Sequence, residues 1–251
     1  MDLWWLPVLF VVGLVAGFVD AIAGGGGLLT VPMLLAAGLS PQDSLGTNKF
    51  QSSFGTALAT RHYARGGLLN WAELRVGLLA SCFGALAGAW TVTRIQPDFL
   101  RPVIPILLVG IALYTWHKPH LGRQPGLARL PGPVFGLVFG VALGFYDGFF
   151  GPGTGSFWTV ACVGLLGLDL LRATAYTKVM NLASNLVALA MFLTAGHVRF
   201  EVGLVMAAGQ MIGGQMGAHS AVRGGARLIR PMFLAMVIAL AIKLGWDALR
   251  K

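Results

Sequence analysis

The stretch Gly17-Phe18-Val19-Asp20-Ala21-Ile22-Ala23-Gly24-Gly25-Gly26-Gly27 sets one carboxylate and then four consecutive glycines inside an otherwise apolar run. A second stretch, Gly144-Phe145-Tyr146-Asp147-Gly148-Phe149-Phe150-Gly151-Pro152-Gly153, follows the same plan: Gly-Phe, one further residue, Asp, three residues, and a glycine-rich break. The two aspartates are offset by 127 residues. Further along, the offset becomes 129: Lys49 with Lys178, Gly67 with Gly196, Gly84 with Gly213, Gly88 with Gly217, Arg94 with Arg223, and Arg101-Pro102 with Arg230-Pro231. We read an internal duplication, with the copied breaks as its functional centre.

Composition sets the environment. Of 251 residues, 56% are hydrophobic and only 11% charged, with mean hydropathy +0.76. A soluble domain of this size carries roughly twice that charged fraction. Apolar runs long enough to cross a hydrocarbon core of about 30 Å recur along the chain. A soluble fold would need nearly every helix buried on all sides, which so short a chain cannot arrange. The sequence therefore reads as an all-α polytopic membrane protein. The formal charge of +9 is scattered over short loops without an aromatic-interleaved basic patch, so it sets topology and meets lipid headgroups rather than nucleic acid. Cys82 and Cys162 stand alone in apolar segments and read as small core residues. His117-x-x-His120 has ligand-like spacing but lies in a loop with Lys118 and Pro119, so no metal or other cofactor is expected.

Met1-Asp2 leads directly into an apolar run without a basic n-region, so the first segment, about 4–22, is expected to stay as a membrane helix. The piece from Leu28 to Leu39 is too short to span and reads as a half-helix or re-entrant segment, closed by Pro41 with Ser40 as the next cap. Residues 43–60 form a helix too polar to face lipid all round, and 170–195 is its counterpart. Full spans are expected at about 72–93, 99–116, 133–150, 200–222 and 231–249, with a second short piece ending near Leu168. This gives two repeats of about four transmembrane helices each: residues 1–116 and 133–251, joined by a loop at 117–132. Four crossings per repeat would leave the halves parallel with the N-terminus inside; a short piece that truly crosses would invert them. Gly84-x-x-x-Gly88 and Gly213-x-x-x-Gly217 allow close packing, within the chain or in a homodimer.

Glycine breaks at membrane depth expose backbone groups that hydrocarbon cannot satisfy, so they belong against protein or a wet cavity. A half-helix starting after such a break aims free N–H groups and a partial positive charge into that cavity, which favours an anion; close packing of small residues is the alternative. Gly24, Gly25, Gly26 and Gly27 form one break, and Gly151, Gly153 and Thr154 mark the other. Asp20 and Asp147 suit a proton carrier, a cation ligand, or a structural acceptor for the exposed N–H groups. Lys49 and Lys178 supply donors for an anion unless they snorkel to the interface. No Ser/His/Asp order or zinc-protease motif is present, and the glycine strings lack the strand context of a nucleotide loop, so no enzyme is expected.

The opening G-F-V-D-A-I-A-G-G-G-G-L-L-T-V-P, the run L-G-T-N-K-F-Q-S-S-F-G-T at 45–56 and the degenerate copy G-F-Y-D-G-F-F-G-P-G-T-G-S resemble the TauE/SafE family of sulfite-exporter and sulfonate-uptake permeases, over essentially the whole chain. The resemblance implies a multi-pass inner-membrane permease for a small sulfur-containing anion such as sulfite, thiosulfate or an organosulfonate, driven by a proton or ion gradient. It also implies motif residues Asp20, Gly24 to Gly27, Thr47, Asn48, Lys49 and Gln51 in the first half. Their second-half counterparts are Asp147, Gly151, Gly153, Thr177, Lys178 and Asn181. Asn48-Lys49-Phe50 becomes Thr177-Lys178-Val179, so strict twofold symmetry of the site is not expected. The rival is a cation permease or passive channel built on Asp20 and Asp147.

Overall fold

The computed structural model describes residues 4–96 and 126–249, and among them all regular structure is helical. The expected span at 99–116, most of the 117–132 loop, and His117 and His120 lie outside the described residues. The helices are α1 (Trp5–Ala23), α2 (Gly27–Ala36), α3 (Pro41–Arg65), α4 (Trp71–Val92), α5 (Gly132–Phe149), α6 (Thr154–Leu166), α7 (Leu170–Thr194) and α8 (Phe200–Leu249). Helix α8 is interrupted at Gly225 (φ 53°), so its second part corresponds to the separate last span expected from the sequence.

Local chemistry explains the boundaries. Ser40 and Asp169 accept the N–H groups of Asp43 and Arg172, capping α3 and α7. Gly67 and Gly196 close those same helices with left-handed turns. Four helices, α1, α4, α5 and α7, are long and apolar enough to cross a membrane among the described residues. Helix α3 is not one of them, because Gln42, Asp43, Ser44, Thr47, Asn48, Lys49 and Gln51 are all buried along it.

Two seams of small residues hold the bundle. Gly13 and Gly17 of α1 lie against Met206 and Gln210 of α8, while Gly213 and Gly217 of α8 lie against Leu14 and Phe18 of α1. Gly136, Gly140, Gly144 and Gly148 of α5 face Gly77, Ser81 and Ala85 of α4, with Gly84 and Gly88 filling the opposite side of the same seam. A Cβ at nearly all of these positions would strike the facing helix, and at Gly77 the Met180 side chain; such close approach is how helices associate where lipid removes the hydrophobic drive. The paired Gly-x-x-x-Gly motifs therefore serve packing inside the chain.

These contacts also fix direction. Advancing along α1 or α3 advances along α8, and advancing along α4 advances along α5 and α7. Between the two sets the sense reverses, since Gly46 near the start of α3 meets His197 just beyond α7, and Tyr63 near its end clusters with Leu170. Helix α2 turns back along α1, bringing Leu34 and Ala37 beside Leu9 at the end where α1 begins. The parallel four-plus-four arrangement is thus replaced: α2 carries the chain back across part of the bundle, and α1 and α5 run in opposite senses. Polar α3 and α7 sit centrally, while Val11 and Val15 of α1, Leu79 and Phe83 of α4, Leu137 and Val138 of α5, and Leu204 and Ile212 of α8 face outward. An alanine at Gly213 should lower the apparent stability of detergent-purified protein by roughly 1–3 kcal/mol in thermal unfolding. Gly164→Ala on α6, where a Cβ meets open space, should leave it unchanged or slightly raised.

Candidate functional site

Asp20 lies in the last turn of α1, just before the chain leaves helical geometry at Gly24 (φ 67°) and Gly25 (φ 116°), conformations that suit glycine. Its Oδ1 accepts the N–H groups of Gly25 and Gly26 at 3.0 and 3.2 Å, so the carboxylate closes over the first break as its acceptor. Its Oδ2 accepts from Lys178 Nζ at 2.8 Å. At the end of α5, Asp147 Oδ1 accepts from Lys49 Nζ at 2.8 Å, and Oδ2 accepts a short hydrogen bond from the Ser184 hydroxyl. Lys49 also donates to Asn185 Oδ1 at 3.0 Å. The two lysines are 1% and 0% exposed, so neither reaches the interface. Each lysine is paired with the aspartate of the other half, and the four groups together carry no net charge.

The two breaks meet each other. Gly24 and Gly155 pack so tightly that a Cβ on either would lie within 2.7 Å of the other's backbone, and the Ser156 hydroxyl donates to Gly24 O at 3.1 Å. Gly151 (φ 96°) presses on the Lys49 side chain, where a Cβ would come 2.7 Å from Nζ. Between them remains a polar cavity of about 20 Å³, lined by Asp20, Gly25, Gly27, Asn48, Lys49, Ser52, Thr56, Asp147, Gly151, Gly153, Gly155, Asn181 and Asn185. That is room for about one water, not for a sulfur oxoanion. Among the described residues Asn181 Oδ1, in this lining, has no hydrogen-bond partner.

Of the remaining sequence-derived candidates, Asn48 is part of this lining and the others lie around it. Asn48 Oδ1 accepts from Thr30 Oγ1 at 2.5 Å and from Gln51 Nε2 at 2.9 Å. At matched positions Thr177 pairs with Thr159 at 3.1 Å, so the Asn-to-Thr departure keeps a hydrogen bond between the short helix and its polar neighbour. Thr154 closes on Gly151 O, and Thr47 accepts the Arg199 N–H. Gly24 and Gly26 shape the first break, and Lys178 acts through Asp20. Ser52, Thr56 and Asn185 line the cavity and Ser184 holds Asp147, yet none was a sequence candidate. Their signal was helical spacing: Lys49, Ser52 and Thr56 share one face of α3, as Lys178, Asn181 and Asn185 do of α7.

A helical membrane bundle whose broken half-helices meet over a buried polar centre is the architecture of a membrane transporter. The sulfite exporter TauE/SafE family matches residues 9–244, and the chain belongs to that family. It is 46% identical over 242 residues to a probable membrane transporter protein, ORF9, of a Sinorhizobium species, covering 96% of this chain and 93% of that one. It is 42% identical over 243 residues to the probable membrane transporter protein YfcA of Escherichia coli K12, covering 97% and 90%. A more distant relative, at 24% identity over 221 residues and covering 80% of this chain and 81% of its own, is a probable membrane transporter protein of Methanocaldococcus jannaschii.

Removing one partner of a buried pair leaves the other charge uncompensated. Lys49→Met should destabilise the folded protein by about 3–5 kcal/mol. Adding Asp147→Asn to that variant should recover most of the loss, measured as a double-mutant cycle on thermal unfolding.

Proposed function

We propose that this chain is a secondary transporter of a small sulfur-containing oxoanion such as sulfite, thiosulfate or an organosulfonate, in which the anion moves together with a proton. It is a multi-pass protein of the inner membrane, and its two repeats are inverted about an axis in the membrane plane. The opposite senses of α1 and α5, the reciprocal seams and the matched contacts Thr30–Asn48 and Thr159–Thr177 support that symmetry. The described arginines at one end are Arg61, Arg65, Arg75, Arg129, Arg172 and Arg223, against Arg94 and Arg199 at the other. Positive charge collects on the cytoplasmic side, so the end where α3 finishes faces the cytoplasm and α1 begins outside.

The observation that carries the reading is the reciprocal pairing of Lys49 with Asp147 and Lys178 with Asp20. An entering anion takes over a lysine only by displacing a carboxylate. A displaced carboxylate left ionised and buried would cost several kcal/mol, a penalty that a proton removes. Each carboxylate displaced in this way takes up one proton. The two aspartates are unequal in this role. Asp20 is tied to two backbone N–H groups and stays an ionised structural acceptor, whereas Asp147 is held by side chains alone and is the coupling acid.

Two measurements on purified protein test this. In a thermal-shift panel of sulfite, sulfate, thiosulfate, sulfoacetate, taurine and chloride, one sulfur anion should stabilise by about 2.7 kcal/mol at a hundredfold excess over its Kd. Asp147→Asn should bind that anion at least as tightly, because Lys49 loses its competitor, while pH-gradient-driven accumulation in proteoliposomes disappears. A flat panel with stabilisation by divalent cations instead would overturn the anion reading in favour of a cation site on the aspartates.

A further inference from the structure

Two wider pockets lie towards opposite ends of the described bundle. One, of about 670 Å³, opens at the end where α3 begins and is lined by Ser40, Asp43, Arg199, Phe200 and Glu201 among others. The second, of about 440 Å³, lies at the end where α7 begins, with Glu73, Arg172, Tyr176, Trp158 and Met180 in its wall. Each contains one charged cluster that ties the start of a lysine-bearing helix to the start of the packing helix of the other half.

In the first cluster, Arg199 donates to Asp43 Oδ2 through Nε at 2.9 Å and Nη2 at 2.7 Å. The His197 ring nitrogen Nδ1 lies 3.0 Å from Asp43 Oδ1, and the Arg199 backbone N–H reaches Thr47 Oγ1 at 3.0 Å. In the second, the Tyr176 hydroxyl donates to Glu73 Oε2 at 2.6 Å, and Arg172 Nη2 stands 4.0 Å from the same oxygen. Asp43 and Arg172 occupy positions offset by 129 residues, like Lys49 and Lys178, but with opposite charge. Each lies six residues before its lysine, about 9 Å along the helix. Because α3 and α7 run in opposite senses, the clusters stand on opposite sides of the central site. They are therefore related in position yet independent in chemistry.

We propose that the Asp43–His197–Arg199 cluster and the Glu73–Arg172–Tyr176 cluster are the two gates of the transport path. Each would close one side of the central cavity by pinning a polar helix to the other half, and both sets of contacts are formed in the structure. This rests on the transporter reading but needs no particular substrate. The gates differ in strength. Asp43 is buried and takes two guanidinium hydrogen bonds from Arg199, itself 60% exposed, whereas Glu73 and Arg172 are both half-exposed, stand 4.0 Å apart and are held mainly by Tyr176. Solvated pairs of that kind contribute little, so the Glu73 side opens more readily.

The test uses one reporter cysteine, Ser52→Cys in the central cavity, in full-length protein carrying Cys82→Ala and Cys162→Ala. A membrane-impermeant methanethiosulfonate is applied to right-side-out and inside-out vesicles. Control cysteines at exposed Glu201 and Arg75 mark which face is which. Without gate substitutions, labelling should be slow from both faces and faster from the Glu73 face. Asp43→Asn should raise labelling several-fold from its own face only, and Glu73→Gln from the opposite face only. The exchanged pair Asp43→Arg with Arg199→Asp should return labelling towards the starting rate, which separates a gate from misfolding. Unchanged labelling in both single variants, or an equal rise from both faces, would overturn the proposal. Because labelling requires no transported anion, its failure is distinct from failure of the substrate assignment.

Discussion

Two lysine–aspartate pairs at the centre of an apolar bundle constrain everything around them. Lys49 and Lys178 are almost wholly inaccessible, and hydrocarbon offers neither a counter-ion. Each is paired with an aspartate from another helix, and Lys49 also donates to Asn185. The pairs therefore do more than neutralise charge: they oblige α3 to approach α5 and α7 to approach α1, and so bring the two halves together at one point. Buried ion pairs contribute modestly to net stability, but breaking one is severe, which makes them good at specifying a single arrangement.

The glycines follow from that requirement. For a lysine on one central helix to reach a carboxylate on an outer helix, the intervening backbone must stop and turn aside. Gly24 and Gly25 in one half and Gly151 and Gly153 in the other accept the positive φ values this demands. The same absence of side chains lets the breaks touch, with Gly24 against Gly155. Outside this centre, the α1–α8 and α4–α5 seams use glycine for a different end, bringing backbones into contact where lipid provides no hydrophobic force. One residue type thus does two physical jobs, and only location separates them.

The centre pairs its charges internally and is too small for an oxoanion. In the transport scheme proposed above, the anion competes with an internal ligand, and the aspartates are its tethered substitutes. Such competition ties binding to rearrangement, since whatever displaces a carboxylate also loosens the helix that the lysine anchors. The difference between Asp20, locked by two backbone donors, and Asp147, held by Lys49 and Ser184, means that the two halves do not loosen alike.

Much of this was readable without coordinates. Hydropathy alone required a membrane bundle, the lengths of the runs separated spanning from short helices, and the duplicated Gly-Phe-x-Asp breaks pointed to the centre. Polar α3 had to be interior because its residues leave no apolar face for lipid. Helical spacing from Lys49 and Lys178 even contained the cavity residues Ser52, Thr56 and Asn185, though motif matching alone passes over them. What the sequence could not decide was partnership. An aspartate and a lysine repeated at matched positions pair equally well within a half or across halves, and nothing local distinguishes the two. Likewise, a dozen apolar residues after a glycine break can cross, turn back or lie flat. Both questions depend on contacts between separate segments, such as Lys178 with Asp20 and Leu34 with Leu9, and tertiary packing alone answers them.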